Sequence, residues 1–455
     1  MGEHLACFKA YDIRGQVPSE LDDELAYRIG RAYVAHLGAR RVALGRDVRL
    51  SSVGLAQALT RGLTEAGADV FDIGLAGTEE VYFATFDREL DGGIAVTASH
   101  NPADYNGLKL VREGARPVSA DSGLLDIERL VVTGRFPELG ATGSCAPIGD
   151  HQERYVRHLL SYIEPAALRP LKLVVNAGNG GAGLIIDRLE PALPFQFIKL
   201  HHEPDGRFPN GIPNPLLPER RLATVEAIRA HGADLGIAWD GDFDRCFFFD
   251  EDGQFIEGYY LVGLLAGELL RSHPGSKILY DPRLTWNTIE AVTAAGGTPV
   301  QCKSGHAFIK ERMRQEDAVY GGEMSGHHYF RRFHYCDSGM IPWLLVVQCM
   351  CRTGLLLSDL VRRRMQAYPC SGEINFRVTD PAATLERVLA HYAAHEPLVD
   401  RSDGIGLSFP SWRFNLRASN TEPLIRLNVE SRGSGTLLAA KTVELRALIE
   451  EGCGG

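Results

Sequence analysis

Short apolar runs recur along the chain, and each breaks at a polar, often glycine-bearing turn. "RVALGRD" (41–47) has the length and composition of a buried strand ending in a turn. Behind it Leu55, Leu59 and Leu63 recur every four residues, as on one face of a helix, with Ser51 and Ser52 placed to cap its start. "GADVFDIG" and "GGIAVTASHNP" then predict two more strands. The order repeats from "LKLVVNAGNG" (171–180) through "FQFIKL", a proline-rich excursion and a helix to "DLGIAWDGDFD". It repeats again from "KILYDPR" (277–283) through a helix and "GGTPVQCKSG" to "AVYGGEMSGH". Strands alternating with helices predict βαβ units on a largely parallel, buried sheet. In such sheets ligands gather beyond the carboxyl ends of the strands, where "TASHNP", "DGDFDR" and "GEMSGH" stand.

The pattern changes near "YPCSGE" (368–373). "GEINFRV", "SWRFNLR" and "PLIRLNVE" alternate, with Ile425, Leu427 and Val429 pointing one way and Arg426 and Asn428 the other. Helical stretches near 383–395 and 436–450 accompany them. The expected fold is α/β: three similar α/β domains (1–150, 151–252, 253–367) with mixed, mostly parallel sheets, then a C-terminal α+β domain (368–455) with an antiparallel sheet, arranged around a central cleft. The length, 455 residues, agrees with more than one core, since a domain takes roughly 150 residues.

A net charge of −10 speaks against nucleic acid as a partner and requires a locally basic pocket for any anionic substrate. Nine scattered cysteines, with no C-x-x-C pair, argue against a zinc site or a disulfide framework and suit a reducing cytosol. The start, "MGEHLACFKAYDIRG", has no charged-then-apolar leader, and the apolar stretch around "MIPWLLVVQCMC" is too short to span a bilayer. A cytoplasmic protein with no membrane partner is expected.

"DGDFDR" places Asp240, Asp242 and Asp244 at i, i+2 and i+4, so three carboxylates can converge from an extended loop. Their mutual repulsion calls for a hard divalent cation such as magnesium or calcium. An EF-hand loop is excluded: Glu251 stands at its twelfth position, but Arg245 replaces the sixth-position glycine and "CFFF" follows. A solvated acidic turn is the plainer alternative. "RASNTEP" (417–423) offers Arg417, Ser419, Asn420 and Thr421, with Arg426 on the next strand, a set able to cradle phosphate or to form an ordinary turn. Glu323 and Ser325 of "GEMSGH" can face sugar hydroxyls together, or merely shape a loop. In "KSGHAF" (303–308), Lys303 and His306 carry little weight alone. Ser99, in "VTASHNPADYNGLKL" (96–110), has no triad pattern or nucleophile elbow. Alone it reads as a turn serine; beside a metal loop and a phosphate loop it can also read as a phosphoryl carrier.

These loops, in this order and at this spacing, resemble the α-D-phosphohexomutase superfamily over essentially the whole chain. "FKAYDIRG" (8–15), "GTEEVYFAT" (77–85) and "NGIPNPLLPE" (210–219) resemble its bacterial phosphomannomutase branch, which feeds GDP-mannose synthesis. The resemblance implies a reversible conversion of mannose 6-phosphate and mannose 1-phosphate through a phosphoserine and a hexose 1,6-bisphosphate. Ser99 would be the phosphoserine, and Mg²⁺ would be held by Asp240, Asp242, Asp244 and a phosphoserine oxygen. Arg245 would lie beside the phosphoryl group, with His100 and Lys109 as acid/base and electrostatic helpers. Glu323 and Ser325 would grip the sugar 3- and 4-hydroxyls. Arg417, Ser419, Asn420, Thr421 and Arg426 would hold the idle phosphate, and Tyr11, Arg14, His306 and His327 would line the cleft. Hexose phosphates are the expected partners, and a monomer or weak homodimer the expected assembly. Two departures stand out: "GTEEVYF" replaces a Thr-Thr-Pro-type segment, and Arg283 stands at a substrate-facing position where many relatives carry lysine. Alternatives are a phosphoglucomutase or dual-specificity enzyme, a Mg²⁺-dependent phosphatase, and a non-catalytic sugar-phosphate binder.

Overall fold

The computed structural model describes residues 4–138, 140–418 and 424–451. The chain forms two compact units, Met1–Phe255 with Gly326–Leu356, and Ile256–Ser325 with Leu357–Gly455.

In the first unit, the strands Ile13–Gln16, Tyr105–Arg112, Gly92–Val96, Arg41–Arg46, Asp69–Leu75 and Cys145–Pro147 lie side by side in that order. The first two pairings are antiparallel and the next three parallel. Val42, Leu44, Ile94 and Val96 pack on one face with Ile29, Leu55, Leu59 and Leu63 of two helices. Ala43 and Ala95 pack on the other with Val81 and Ala84 of the helix Thr78–Asp87. Covered on both faces, the central strands Arg41–Arg46 and Gly92–Val96 carry the unbroken apolar runs VALG and GGIAV. The helix Ser52–Glu65 does start where expected, but neither serine caps it. Ser52 Oγ instead donates to Asp47 at 2.6 Å, and Ser51 Oγ accepts from Asn106 at 2.8 Å. A competing buried acceptor claims the first hydroxyl and a buried amide the second.

A second sheet in this unit runs Cys246–Phe249, Leu235–Trp239, Lys172–Asn176, Gln196–Leu200. Its first pairing is antiparallel and the others parallel. The unit also holds an antiparallel pair, His328–Phe330 with Cys336–Asp337, and the largely buried helix Met340–Thr353. Buried Glu79 accepts from Gly339 N, Ser338 Oγ and the Tyr155 hydroxyl, meeting donors at the start of that helix.

In the second unit Thr298–Gln301, Lys277–Tyr280 and Tyr320–Gly322 pair in parallel. Its other sheet is antiparallel throughout: Cys370–Arg377, Leu424–Ser431, Trp412–Ala418, Ile405–Ser408, Leu398–Asp400. Ile425, Leu427 and Val429 enter its core, as their alternation predicts. The opposite face is covered too: Glu430 accepts from Arg413 at 2.9 Å and from Thr285 N at 2.7 Å. Among the described residues no single helix is long and apolar enough to cross a membrane, and the eight cysteines form no disulfide.

Candidate active site

The strand Gly92–Val96 delivers the chain into a buried turn at Ser99. Ser99 has φ +49°, a left-handed conformation that a non-glycine residue adopts only under constraint. Its amide donates to Thr97 Oγ1 at 2.9 Å. Its hydroxyl donates to Asp240 Oδ2 at 2.7 Å and lies 3.0 Å from His100 Nδ1.

The aspartate loop leaves the buried strand Leu235–Trp239. Asp240 and Asp242 are fully buried and Asp244 is 1% exposed; one oxygen from each lies within 4.8 Å of the others. Asp242 Oδ1 and Asp244 Oδ1 are buried without a hydrogen-bond partner. Between them Phe243, at φ +45°, drives its ring into space that exists only because Gly77 has no side chain: a Cβ there would meet the ring at 2.3 Å. Gly241 allows a second close approach, since its Cβ would lie 2.6 Å from the Ser99 carbonyl oxygen.

Cations answer the carboxylates. Lys109 Nζ lies 2.7 Å from Asp242 Oδ2 and 2.5 Å from Asp244 Oδ2. Arg245 Nε donates to Asp240 Oδ2 at 2.8 Å. Thr78 Oγ1 adds a hydrogen bond to Asp242. Burial opposes ionisation of the pair Asp242 and Asp244; the Lys109 ammonium nevertheless holds Asp242 low, while burial and the Asp242 charge raise Asp244. Burial works against the Lys109 charge, but the two aspartates outweigh it and keep the amine protonated. Desolvation, then the charges of Arg245 and Arg14, hold His100 well below the usual histidine value, so its ring is neutral. Arg14 donates to Asp12 and, at 2.7 Å, to Asn101 of the Ser99 turn; Tyr11 lies half-buried just before. His327 Nδ1 lies 2.9 Å from Asp337 and 3.9 Å from Asp244. A backbone bridge between Arg245 and His327 and a Cys246 N to Gly326 O bond fasten this segment to the aspartate loop.

"GEMSGH" is therefore divided: His327 belongs to the first unit, and Glu323 and Ser325 to the second. There Glu323 accepts from Gly305 N at 3.0 Å, beside the helix His306–Glu316. Arg283 is paired bidentately with Asp281 and reaches Glu323 at 3.2 Å and Ser325 at 3.3 Å. Glu373 faces Arg417 at 2.9 Å, Arg426 at 3.5 Å and Arg283 at 3.8 Å. Ser419, Asn420 and Thr421 lie outside the described residues. Thr78, Asp281, Asp337 and Glu373 also enter these networks, through Asp242, Arg283, His327 and Arg417. Each is an ordinary polar residue until the fold supplies its partner, and none belongs to a recognisable spacing.

Convergent oxygen donors, two of them without hydrogen-bond partners, suit a hard divalent cation. A hydroxyl and cations hydrogen-bonded to one carboxylate cluster suit phosphoryl transfer. Comparison with known proteins agrees. The phosphoglucomutase/phosphomannomutase family matches as alpha/beta/alpha domains I, II and III at residues 6–137, 153–253 and 257–368, and as its C-terminal domain at 373–447. A phosphomannomutase of Salmonella montevideo is 62% identical over 453 residues, covering 98% of this chain and 99% of its own. A Xanthomonas campestris protein named phosphohexose mutases is 61% identical over 445 residues, with the same coverage. The crystal structure of a phosphoglucomutase/phosphomannomutase family protein from Burkholderia thailandensis superposes with a TM-score of 0.89 at 32% identity, covering 100% of this chain and 99% of its own. The chain belongs to the phosphoglucomutase/phosphomannomutase family.

Proposed function

We propose that the protein is a phosphomannomutase, an isomerase interconverting mannose 6-phosphate and mannose 1-phosphate. The observation that carries the reading is the Ser99 hydroxyl, constrained at φ +49° and hydrogen-bonded into a cluster of three buried aspartates. Family membership and 62% identity to a Salmonella phosphomannomutase support it. Phosphorylated Ser99 donates its phosphoryl group to the free hydroxyl of the hexose phosphate, giving a 1,6-bisphosphate. The bisphosphate turns end for end, and its other phosphate returns to the Ser99 oxygen.

Asp240, Asp242 and Asp244, with Ser99 beside them, are the residues that would hold Mg²⁺. When bound, the ion offsets negative charge on the phosphoryl oxygens. Lys109, beside Asp242 and Asp244, supplies positive charge next to the phosphoryl group. Arg245 orients Asp240, and His100 is neutral with Nδ1 near the Ser99 oxygen. Arg417 and Arg426 supply positive charge for the idle phosphate, and Glu323 and Ser325 hydrogen-bond the sugar hydroxyls.

Mannose and glucose differ only at C2, whereas Glu323 and Ser325 are assigned to the 3- and 4-hydroxyls. Use of both hexoses follows, a reading that the name of the Xanthomonas relative favours. The test is a coupled assay of mannose 1-phosphate against glucose 1-phosphate with a 1,6-bisphosphate activator, alongside peptide mapping for phosphate on Ser99. Turnover of neither sugar, or steady release of inorganic phosphate, would overturn the mutase reading. A kcat/KM ratio above about 10⁴, as when a site hydrogen-bonds one distinguishing hydroxyl, would exclude dual use.

A further inference from the structure

Arg49 is 1% exposed, and it is spent almost entirely on the backbone of the Ser99 turn. Its Nη2 donates to the carbonyls of Ser99 at 2.9 Å and Asn101 at 2.6 Å. Its Nη1 donates to Pro102 at 2.5 Å and Tyr105 at 2.8 Å. Nε faces Asp47 at 3.3 Å, and Asp47 is itself held by the Arg49 amide and the Ser52 hydroxyl. The Phe208 ring closes the far side, 5.2 Å from the guanidinium carbon. Four carbonyls converging from residues 99–105, the turn and the first residue of the next strand, require a planar, forked donor. Arginine has five N–H groups in fixed geometry, whereas lysine has three on one point and cannot reach the same set. Without these bonds the carbonyls would be left buried or the turn would open.

Resting on the phosphoserine reading, we infer that Arg49 is a positioning residue for phosphoryl transfer: it clamps the backbone of residues 99–105 and so holds the Ser99 oxygen against Asp240. Arg49 touches neither Asp240 nor the assigned sugar contacts; its effect passes through the turn. A misplacement of about 1 Å can cost a hundredfold in rate. The clamp grips the carbonyl of left-handed Ser99 itself, while Thr97 Oγ1 holds its amide.

The experiment follows phosphate transfer from glucose 1,6-bisphosphate to the dephosphorylated full chain, with steady-state kinetics in parallel. Wild type, Ser99→Ala, Arg49→Met, Arg49→Lys and Asp47→Asn are compared. Phosphorylation of Arg49→Met is expected to slow about 100-fold and that of Arg49→Lys about tenfold, with kcat falling in step and KM within threefold of wild type. Asp47→Asn, which loosens the guanidinium, should show a smaller loss of the same kind. Should Arg49→Met fail to fold, Arg49→Lys and Asp47→Asn decide. Phosphorylation and kcat within threefold of wild type in those two variants would overturn the inference, as would a rise in KM at unchanged kcat. If wild type takes no phosphate, or Ser99→Ala takes it equally, the phosphoserine reading itself has failed. A defect confined to the Arg49 and Asp47 variants has the opposite meaning.

Discussion

The Ser99 hydroxyl donates to Asp240 Oδ2 at 2.7 Å across 141 positions of sequence, and Arg245 Nε donates to the same oxygen at 2.8 Å. One carboxylate oxygen thus joins the proposed phosphoryl carrier, the aspartate cluster and a cation. Moving any of the three disturbs the other two.

Asp242 accepts from Lys109 and Thr78 while its other oxygen has no hydrogen-bond partner. Asp242→Asn keeps the shape and removes the charge that a cation needs. Turnover should fall by roughly 10²–10³, with a higher Mg²⁺ requirement. Chelation should silence the wild type and added Mg²⁺ restore it; activity indifferent to chelator would refute the metal assignment.

Gly241 is the point where the aspartate loop passes the Ser99 turn. In Gly241→Ala the new Cβ would stand 2.6 Å from the Ser99 carbonyl oxygen, so one loop must retreat. The expected result is a fall in kcat of roughly 100-fold with a nearly normal melting temperature. Normal kcat in a folded variant would show that the spacing of the two loops does not matter.

Arg283→Lys tests the sugar side. Lysine retains the charge but loses the bidentate grip on Asp281 and the reach to both Glu323 and Ser325. KM for the hexose phosphate should rise about tenfold, since a charge-assisted hydrogen bond contributes about 1.5–3 kcal/mol. Unchanged KM for both hexoses would remove Arg283 from the sugar-binding group.

His158 sits among Phe83, Phe86 and Phe333, with ring centroids 5.3, 5.9 and 5.6 Å away. Burial, assisted by the charge of Arg332, pulls it down to about 4. The folded value lies below the unfolded one, so folding favours the neutral ring. Its stabilisation is full above the unfolded value, about 6.5, and is lost as pH falls through 4, by up to about 3 kcal/mol. Urea unfolding at several pH values should show His158→Phe with a shallower decline than wild type over that interval. Parallel curves would refute the assignment.

The amino-acid order alone marks most of the buried parallel strands, the helices between them and the loops at their ends. The reason is that period and turn chemistry are local: Val42 and Leu44 alternate with Ala43 whatever they meet, and Ile425, Leu427 and Val429 mark a core face. Three aspartates at alternate positions are local in the same sense. Nothing local couples Lys109 to Asp242 and Asp244, or Arg49 to four carbonyls half a domain away. Those pairings arise from strand register and from the need of each buried charge for a partner. Nor does "GEMSGH" reveal that its histidine joins the aspartate loop through a backbone bridge while Glu323 and Ser325 remain with Arg283. Only the tertiary structure decides these, because a polar side chain acquires its role from what is packed around it.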